Sequence, residues 1–190
     1  KKHGIDKNRP VGLFVGRVAF EKNISFLLRM WTEVIKQQPD ALLVIAGEGP
    51  AEASLHALAK TLNLENHVKF IGYMDRNTEL NACYASADVF VFSSLSETQG
   101  LVLLEAMAQA RPVVAIAELG TKSILIEGEG AMIAPHDELV FAEKVNVILS
   151  DAKLRTKLGK AALNYAKTRW TDTAQAERMI EFYKEVMKEE

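Results

Sequence analysis

The sequence has one cysteine, Cys83, and no long apolar run. A single cysteine excludes an internal disulfide and a metal cluster built on several thiolates, so we expect a reducing, cytoplasmic setting. No segment approaches the roughly 20 apolar residues that a membrane-spanning helix needs. With a net charge of -2, the chain also lacks the excess of positive charge that is typical of nucleic-acid-binding proteins.

The residues that are present indicate an ordinary globular domain, with 48% hydrophobic and 25% charged side chains. A chain of 190 residues is long enough to bury one large core without cross-links. The opening segment KKHGIDKNRP is polar and has no apolar stretch of the signal-peptide type. We therefore interpret residues 1–10 as a linker and residues 11–190 as one domain.

Six short apolar runs alternate with longer segments of helical periodicity, which predicts βαβ units around a parallel sheet. Because the runs lack polar alternation, we expect all six to be central strands covered by helices on both faces. The predicted fold is α/β, with a doubly wound, six-stranded, Rossmann-like parallel sheet. The runs are VGLFVG from Val11, ALLVIAG from Ala41, VKFIG from Val68, DVFVF from Asp88, PVVAIA from Pro112 and AMIAP from Ala131.

Helical periodicity predicts helices between these strands at 23–37, 51–62, 76–86, 100–110 and 121–127. Three more helices follow the sixth strand and form a helical C-terminal tail. They are predicted at Asp137–Leu149, Asp151–Arg169 and Asp172–Lys188, each with its first aspartate as the N-cap. Ligands of doubly wound sheets bind beyond the carboxyl ends of the strands, so a site is expected in the loops that follow them.

The loop after the first strand, GRVAFEKN, places Arg17 and Lys22 between Gly16 and a predicted helix. A helix N-terminus favours an anion, and two fixed positive charges make phosphate its natural partner. The loop lacks the GxGxxG fingerprint of dinucleotide-binding enzymes, which argues against a dehydrogenase. The alternative interpretation is that both cations are solvated surface charges.

The segment SETQGLVLLEAMA after the fourth strand carries Glu97 before a helix and Glu105 within it. Since that helix is apolar nearly all round, we expect Glu105 to be buried and to need a specific partner. At about 1.5 Å per residue, Glu105 lies roughly 7 Å along the axis from the helix start. That spacing suits a diphosphate at the N-terminus and a ribose beside the next turn. The alternatives are a structural ion pair for Glu105 and simple capping for Glu97.

GRVAFEKN and the E-x7-E spacing from Glu97 to Glu105 together resemble the C-terminal, donor-binding half of family 4 retaining glycosyltransferases, which have the GT-B fold. VIAGEGP, VKFIGYM and ADVFVFSS match as well, so the resemblance covers nearly the whole chain. SETQGL is similar to the version in diacylglycerol glucosyltransferases. The resemblance implies catalytic roles for Arg17, Lys22 and Glu97, and donor contacts from Gly16, Arg17, Lys22, Gly72, Tyr73, Met74, Glu97, Thr98, Gln99, Gly100, Leu101 and Glu105.

The resemblance also divides the donor, a nucleotide sugar of the UDP type, among these residues. It implies that Arg17 and Lys22 hold the diphosphate with help from the amides of Gln99 to Leu101. Glu105 would bind the ribose, Glu97 the transferred hexose, and the backbone around Tyr73 the base. No cofactor or metal is implied. We expect His3, His56, His67 and His136, which lack a metal-ligand spacing, to be structural or solvated.

The acceptor site of this family belongs to an N-terminal domain, which we expect outside this sequence. The resemblance implies that this domain contacts a membrane at its cytoplasmic face if the acceptor is a lipid, and that this chain alone transfers no sugar. Part of the last helix, including Met179, Phe182 and Met187, is then expected to be uncovered. Two alternatives stay open, a nucleotide-sugar epimerase on the same fold and a non-catalytic nucleotide-binding docking module.

Overall fold

The computed structural model describes residues 4–6 and 8–187. Six parallel strands form one sheet in the order β3-β2-β1-β4-β5-β6, so the order reverses between β1 and β4. This arrangement confirms the predicted doubly wound, Rossmann-like sheet. The strands are β1 (Val11–Val15), β2 (Leu42–Ala46), β3 (Val68–Gly72), β4 (Val89–Phe92), β5 (Val113–Ala115) and β6 (Ala131–Ile133).

Two of the six strands are not central, which corrects the prediction. β3 and β6 lie at the two edges of the sheet, and four of the five residues of β3 are only half-buried. Helices cover both faces of a parallel sheet even at its margins, so an edge strand is nearly as apolar as a central one. The apolar composition of a strand therefore indicates that helices cover both faces of the sheet there. It does not indicate whether the strand has one or two neighbouring strands.

Five helices connect the strands: α1 (Ile24–Gln37), α2 (Glu52–Thr61), α3 (Leu80–Ala85), α4 (Leu101–Ala108) and α5 (Thr121–Ile124). Right-handed crossovers place α1 and α2 on one face of the sheet and α4 on the other, because the chain progresses in opposite directions from β1 and from β4. The core between these layers is dense in aromatic rings. Fully buried side chains include Trp31, Phe14, Phe26, Phe90 and Phe92.

Two of these helices are shorter than predicted. α3 begins at Leu80 rather than near residue 76, because the Asp75 carboxylate accepts hydrogen bonds from the amides of Asn77 and Thr78, each at 3.0 Å. These bonds fold residues 76–79 into a turn, as aspartate often does ahead of a helix. α5 is a single turn, because the chain is already extended at Leu125 instead of continuing to residue 127.

The predicted helical tail is present as α6 (Glu138–Ser150), α7 (Ala152–Arg169) and α8 (Asp172–Val186). Asp137 and Asp151 cap α6 and α7 as predicted, by accepting backbone N–H groups of the first turns. The prediction for α8 is wrong, since Thr171 is its N-cap. The Thr171 hydroxyl accepts from the Ala174 amide at 3.3 Å, and Asp172 is already the first helical residue.

α6 packs against α1 and α7 packs against α4, whereas α8 contributes no buried residue. Met179, Phe182 and Met187 are 53%, 58% and 76% exposed, which confirms the expected uncovered face. Predicted positions Lys188 and His3 lie outside the described residues. Among the helices that the structure describes, none is both long and apolar enough to cross a membrane.

The segment predicted as a linker is attached to the domain at Arg9. Its guanidinium donates to the carbonyl oxygens of Asp40 at 2.7 Å and Asn66 at 2.9 Å. These bonds connect the chain just before β1 to the loops at the amino ends of β2 and β3. A cavity of about 560 Å³ is lined partly by Arg9, Val11 and Asp88. The cavity extends from Val11 and Asp88, at the beginnings of β1 and β4, to Met74, beyond the carboxyl end of β3.

Candidate functional site

The sheet reverses its strand order between β1 and β4, and two of the three loops that carry the predicted site residues flank this point. Lys22, after β1, donates from Nζ to Oε2 of Glu97, after β4, at 2.8 Å. The two residues are 75 positions apart in sequence. The fold therefore brings one cation and one glutamate of the two motifs into direct contact.

The first loop is fixed in place by its neighbour after β2. The Gly16 amide donates to the Ala46 carbonyl at 3.0 Å, and the Val18 amide donates to the Glu48 carbonyl at 2.9 Å. A Cβ on Gly47 would lie 1.9 Å from the Gly16 carbonyl oxygen, so the two loops approach too closely for any side chain there. Backbone contacts thus set the position of the loop that carries the cations.

Arg17 projects from this fixed loop with its side chain 66% exposed. Its nearest acidic group is Glu21, at 3.6 Å, and an exposed pair at that distance contributes little to stability. Arg17 is thus available to a ligand, whereas Lys22 is partly buried and already paired. The structure does not bring Arg17 into contact with Glu97.

Asn23 and Ser93 join the two loops and were missed by the sequence analysis. Asn23 adopts a left-handed conformation with φ of 54°, where asparagine is favoured, directly after the 3-10 turn Phe20–Lys22. Its side-chain amide donates to the Ser93 backbone carbonyl at 3.2 Å, and the Ser93 hydroxyl donates back to the Asn23 backbone carbonyl at 2.9 Å. The asparagine that ends GRVAFEKN was the available signal for this reciprocal contact.

The Glu97 carboxylate also accepts hydrogen bonds from the amides of Gln99 and Gly100, each at 3.2 Å. Partial burial raises the pKa of this carboxyl, but the Lys22 ammonium and the two amides outweigh that effect and hold the pKa below its ordinary value. An ionised carboxylate therefore occupies the N-terminal end of α4, at the amides that were predicted to bind phosphate. Glu97 thus bonds the turn before α4 but does not cap the helix, because Gly100 is the N-cap and α4 has no side-chain cap hydrogen bond.

The turn before α4 is constrained by two glycines. Gly100 is the N-cap of α4 and has φ of 64°, a conformation that favours glycine. A Cβ on Gly120 would lie 1.8 Å from the Thr98 carbonyl oxygen, so the loop after β5 presses against this turn. Leu101, the first residue of α4, is 53% exposed and lies one helical turn before Glu105 on the same side.

Glu105 is not buried as predicted, since its side chain is 26% exposed. α4 has a mixed environment, with Leu103, Ala106 and Met107 buried and its other residues at least partly accessible. The Tyr84 hydroxyl donates to Oε2 of Glu105 at 2.8 Å, and Arg76 forms an ion pair with Oε1. The structural ion pair that was left open as an alternative is therefore present, with partners on and before α3.

The third loop follows edge strand β3. The Gly72 carbonyl accepts from the Gly47 amide at 2.7 Å, and Gly72 has φ of 71°. The ring of Tyr73 is mostly exposed, and its amide donates to Oε1 of Glu48 at 3.3 Å. Met74 is buried and lines the cavity described above. Of the three residues, Tyr73 and Gly72 face the loop after β2 through their backbones.

The family model described as "Glycosyl transferases group 1" matches residues 1–165, and two sequence relatives agree with it. The chain belongs to the group 1 glycosyl transferases. A D-inositol 3-phosphate glycosyltransferase of Corynebacterium diphtheriae is 32% identical over 95% of this chain and 43% of its own length. Alpha-monoglucosyldiacylglycerol synthase of Streptococcus pneumoniae is 38% identical over 60% of this chain and 26% of its own.

Solved structures of other proteins contain the same fold. Sucrose-phosphate synthase of Thermosynechococcus elongatus, 28% identical, superposes with a TM-score of 0.84 over 100% of this chain and 48% of its own. A mutant of S. aureus TarM, solved in complex with UDP among other ligands, is 24% identical and gives 0.82 over 95% of this chain and 37% of its own. The chain therefore has the fold of the GT-B C-terminal half, and it spans less than half the length of three curated relatives that it matches.

The described histidines of this glycosyl transferase domain have partners within the fold. His56 packs its ring on Phe70, and His67 lies 3.4 Å from the Ala41 carbonyl oxygen. His136 stacks on Phe26 and lies 3.2 Å from the Asn23 amide nitrogen. Within residues 4–6 and 8–187, no three His, Cys, Asp or Glu side chains are grouped as metal ligands.

Proposed function

We propose that this chain is the donor-binding domain of a retaining glycosyltransferase that takes a hexose from a UDP-linked sugar. The contact between Lys22, Glu97 and the amides before α4 carries this proposal. An anion already occupies that position, since the ionised Glu97 carboxylate accepts one ammonium and two amide hydrogen bonds. A diphosphate presents the same chemistry with more charge, and Arg17 stands exposed on the adjoining loop to receive it.

The donor fits the described positions in one direction. With its diphosphate at the N-terminus of α4, beside Arg17 and Lys22, the ribose lies along the helix toward Glu105, roughly 7 Å away. The base then reaches the backbone of Gly72, Tyr73 and Met74, and the hexose extends the other way toward Glu97. Gly16 lets the backbone approach the phosphates, and Thr98 lies in the turn that carries the amides.

Catalysis in this proposal is electrostatic. The bond between the anomeric carbon and the diphosphate oxygen breaks, the acceptor's hydroxyl oxygen bonds to that carbon and gives its proton to the departing diphosphate, and negative charge develops on the UDP as it leaves. Arg17, Lys22 and the amides of the α4 turn stabilise that charge from fixed positions, which lowers the barrier without a metal or a cofactor. When the donor binds, the Glu97 carboxylate gives up its bonds to Lys22 and to the amides of the α4 turn and accepts hydrogen bonds from hydroxyls of the transferred sugar. These new bonds orient the reacting carbon.

The acceptor belongs to a second domain in this proposal, because the matched relatives are more than twice as long as the region they share with this chain. The resemblance of SETQGL to lipid glucosyltransferases, and the similarity to a monoglucosyldiacylglycerol synthase, favour a lipid acceptor. Such a full-length enzyme works in the cytoplasm and touches the membrane surface through the acceptor domain.

Calorimetric titration with UDP and with uridine tests the diphosphate assignment. Charge-assisted contacts to phosphate are worth about 1.5–3 kcal/mol, so Arg17→Ala should weaken UDP binding roughly 10- to 150-fold and change uridine binding little. Arg178→Ala removes an exposed arginine from α8 and is the matched control, with no change expected. Equal losses for UDP and uridine in Arg17→Ala would contradict a phosphate role.

A second titration in the same series tests whether Glu97 contacts the sugar of the donor and not its nucleotide. Glu97→Ala should leave UDP affinity equal or higher, because its carboxylate no longer competes for Lys22, and should lower the affinity for the intact UDP-hexose. If Glu97→Ala and Glu105→Ala both leave the binding of UDP and of the UDP-hexose untouched in folded protein, the docking-module alternative is favoured. In the full-length enzyme, release of an epimerised nucleotide sugar instead of a glycosylated acceptor would identify the epimerase.

A further inference from the structure

Glu105 is held by two partners of different character. Tyr84, on α3, is 0% exposed, packs its ring beside Phe90, and donates its hydroxyl to Oε2 of Glu105 at 2.8 Å. Burial and the negative charge of Glu105 raise the pKa of Tyr84, so its hydroxyl keeps the proton that it donates. The hydrogen bond therefore ties α3 to α4 from inside the core.

The second partner is at the surface. Arg76 lies in the turn before α3, its side chain is 62% exposed, and it pairs with Oε1 of Glu105. A long exposed side chain of this kind is easily replaced by solvent or by a ligand. Tyr84 cannot leave in the same way, because its ring fills part of the core. Glu105 thus has one fixed hydrogen bond and one exchangeable ion pair.

We propose that Tyr84 is a positioning residue for the ribose site. It fixes one oxygen of the Glu105 carboxylate, so that the other exchanges Arg76 for the hydroxyls of the donor's ribose. This inference rests on the proposed function, in which Glu105 binds ribose. The last torsion of a glutamate is broad, so an unanchored carboxylate loses more freedom when it binds a ligand. Tyr84 itself does not touch the donor.

Tyr84→Phe keeps the ring and removes only the hydroxyl, and the ratio of affinities for UDP and 2′-deoxy-UDP measures the ribose contact. We expect this ratio to fall about 3- to 10-fold, because that range corresponds to the free-energy cost of immobilising one side chain. The affinity for 2′-deoxy-UDP should be nearly unchanged. Tyr165→Phe is the matched control, because it removes another buried phenol hydroxyl, which donates to the Ile124 carbonyl at 2.7 Å. Its ratio should equal that of the wild type.

Glu105→Gln, measured in parallel, separates this inference from the proposed function. If Glu105→Gln lowers the ratio but Tyr84→Phe does not, or if Tyr84→Phe weakens both ligands equally, the positioning role is overturned while the ribose assignment stands. If Glu105→Gln leaves the ratio unchanged, the ribose assignment fails and the role of Tyr84 fails with it.

Arg76→Ala tests the same inference through a surface residue, so folding is not at risk. We expect the ratio to be unchanged or higher, because the exchangeable partner has been removed while the Tyr84 hydrogen bond remains. A fall in the ratio as large as that of Glu105→Gln would assign the anchoring role to Arg76 and overturn the one proposed for Tyr84.

Discussion

Each glutamate of the E-x7-E segment forms an ion pair in this structure, Glu97 with Lys22 and Glu105 with Arg76. The two pairs differ in accessibility. Lys22 and Glu97 expose about a fifth of their side chains, 21% and 17%, whereas Arg76 is mostly exposed. A diphosphate that reaches Lys22 must compete with the Glu97 carboxylate, so the net gain from that contact is smaller than its gross strength.

The first prediction concerns Lys22→Met, which removes the ammonium but keeps most of the aliphatic side chain. We expect the pKa of Glu97 to rise and the free energy of unfolding at pH 7 to fall by about 1 kcal/mol, between the values for exposed pairs and for charged hydrogen bonds. NMR titration of the Glu97 carboxyl and urea unfolding at several pH values measure the two quantities.

The pH dependence of that difference has a definite sign. The pKa of Glu97 is lowered in the folded state, so its contribution is fully present above the unfolded value of about 4.3 and is lost as the pH falls through the folded pKa. The stabilities of the wild type and Lys22→Met should therefore converge in acid. Lys36→Met, which breaks an exposed pair with Glu33, is the control and should have little effect. An equal difference at all pH values would mean that Lys22 acts by packing.

Among the elements, three loops at the carboxyl ends of β1, β2 and β3 are joined through backbone contacts at glycines. The loop after β2 takes the central position, because the Gly47 amide donates to the Gly72 carbonyl while its Cα lies against the Gly16 carbonyl. The position of the Arg17 loop therefore depends on a residue that is not among the predicted donor contacts. This packing also orients the backbone beside Tyr73.

The second prediction is that Gly47→Ala both destabilises the fold and weakens UDP binding. Its φ is 132°, and the new Cβ would lie 1.9 Å from the Gly16 carbonyl oxygen, so the first loop must move. Gly128→Ala is the control, because Gly128 has φ of 86° with nothing within 4 Å of the added Cβ. Conformational strain alone costs about 1–3 kcal/mol, so Gly47→Ala should exceed the control by about 2 kcal/mol or more in urea unfolding. Equal losses, with UDP binding intact in both, would refute this coupling.

At the scale of the whole molecule, the last helix stands apart from the core. α7 buries Leu158, Ala162 and Tyr165, whereas α8 is held mainly through its contact with α7 and exposes Met179, Ile180 and Phe182. A contiguous apolar stripe of this kind is normally covered by a partner surface. In the proposed enzyme, the acceptor domain is the surface that covers it.

The third prediction is that deleting residues 171–190 leaves the domain folded and less prone to associate. Because α8 buries no side chain, the midpoint of thermal unfolding should move by less than about 4 °C, the shift expected for about 1 kcal/mol in a chain of this size. Calorimetry and sedimentation at increasing concentration measure the two effects. Deleting residues 152–190 is the contrasting change and should unfold the domain, because it uncovers α4. Loss of folding in the shorter deletion would show that α8 is part of the core.

Much of the architecture was determined by local sequence. The alternation of apolar runs and helical segments predicted the six strands and eight α-helices of the described residues, because burial against neighbours leaves a period in each segment. The rule that ligands bind beyond strand ends then selected the loops with Arg17, Lys22 and Glu97 before any contact was known. Boundaries failed where one side chain decided them, as Asp75 does before α3 and Thr171 does before α8.

Only the tertiary structure determined which of these residues meet. The Lys22–Glu97 pair, the reciprocal bonds of Asn23 and Ser93, and the Tyr84–Glu105 hydrogen bond each join segments more than 20 positions apart. Sequence analysis recognised that Glu105 needed a partner but had no local signal to name it. The periodicity of a segment indicates which of its side chains face the core. The order and packing of the strands and helices then place side chains that are distant in sequence within bonding distance.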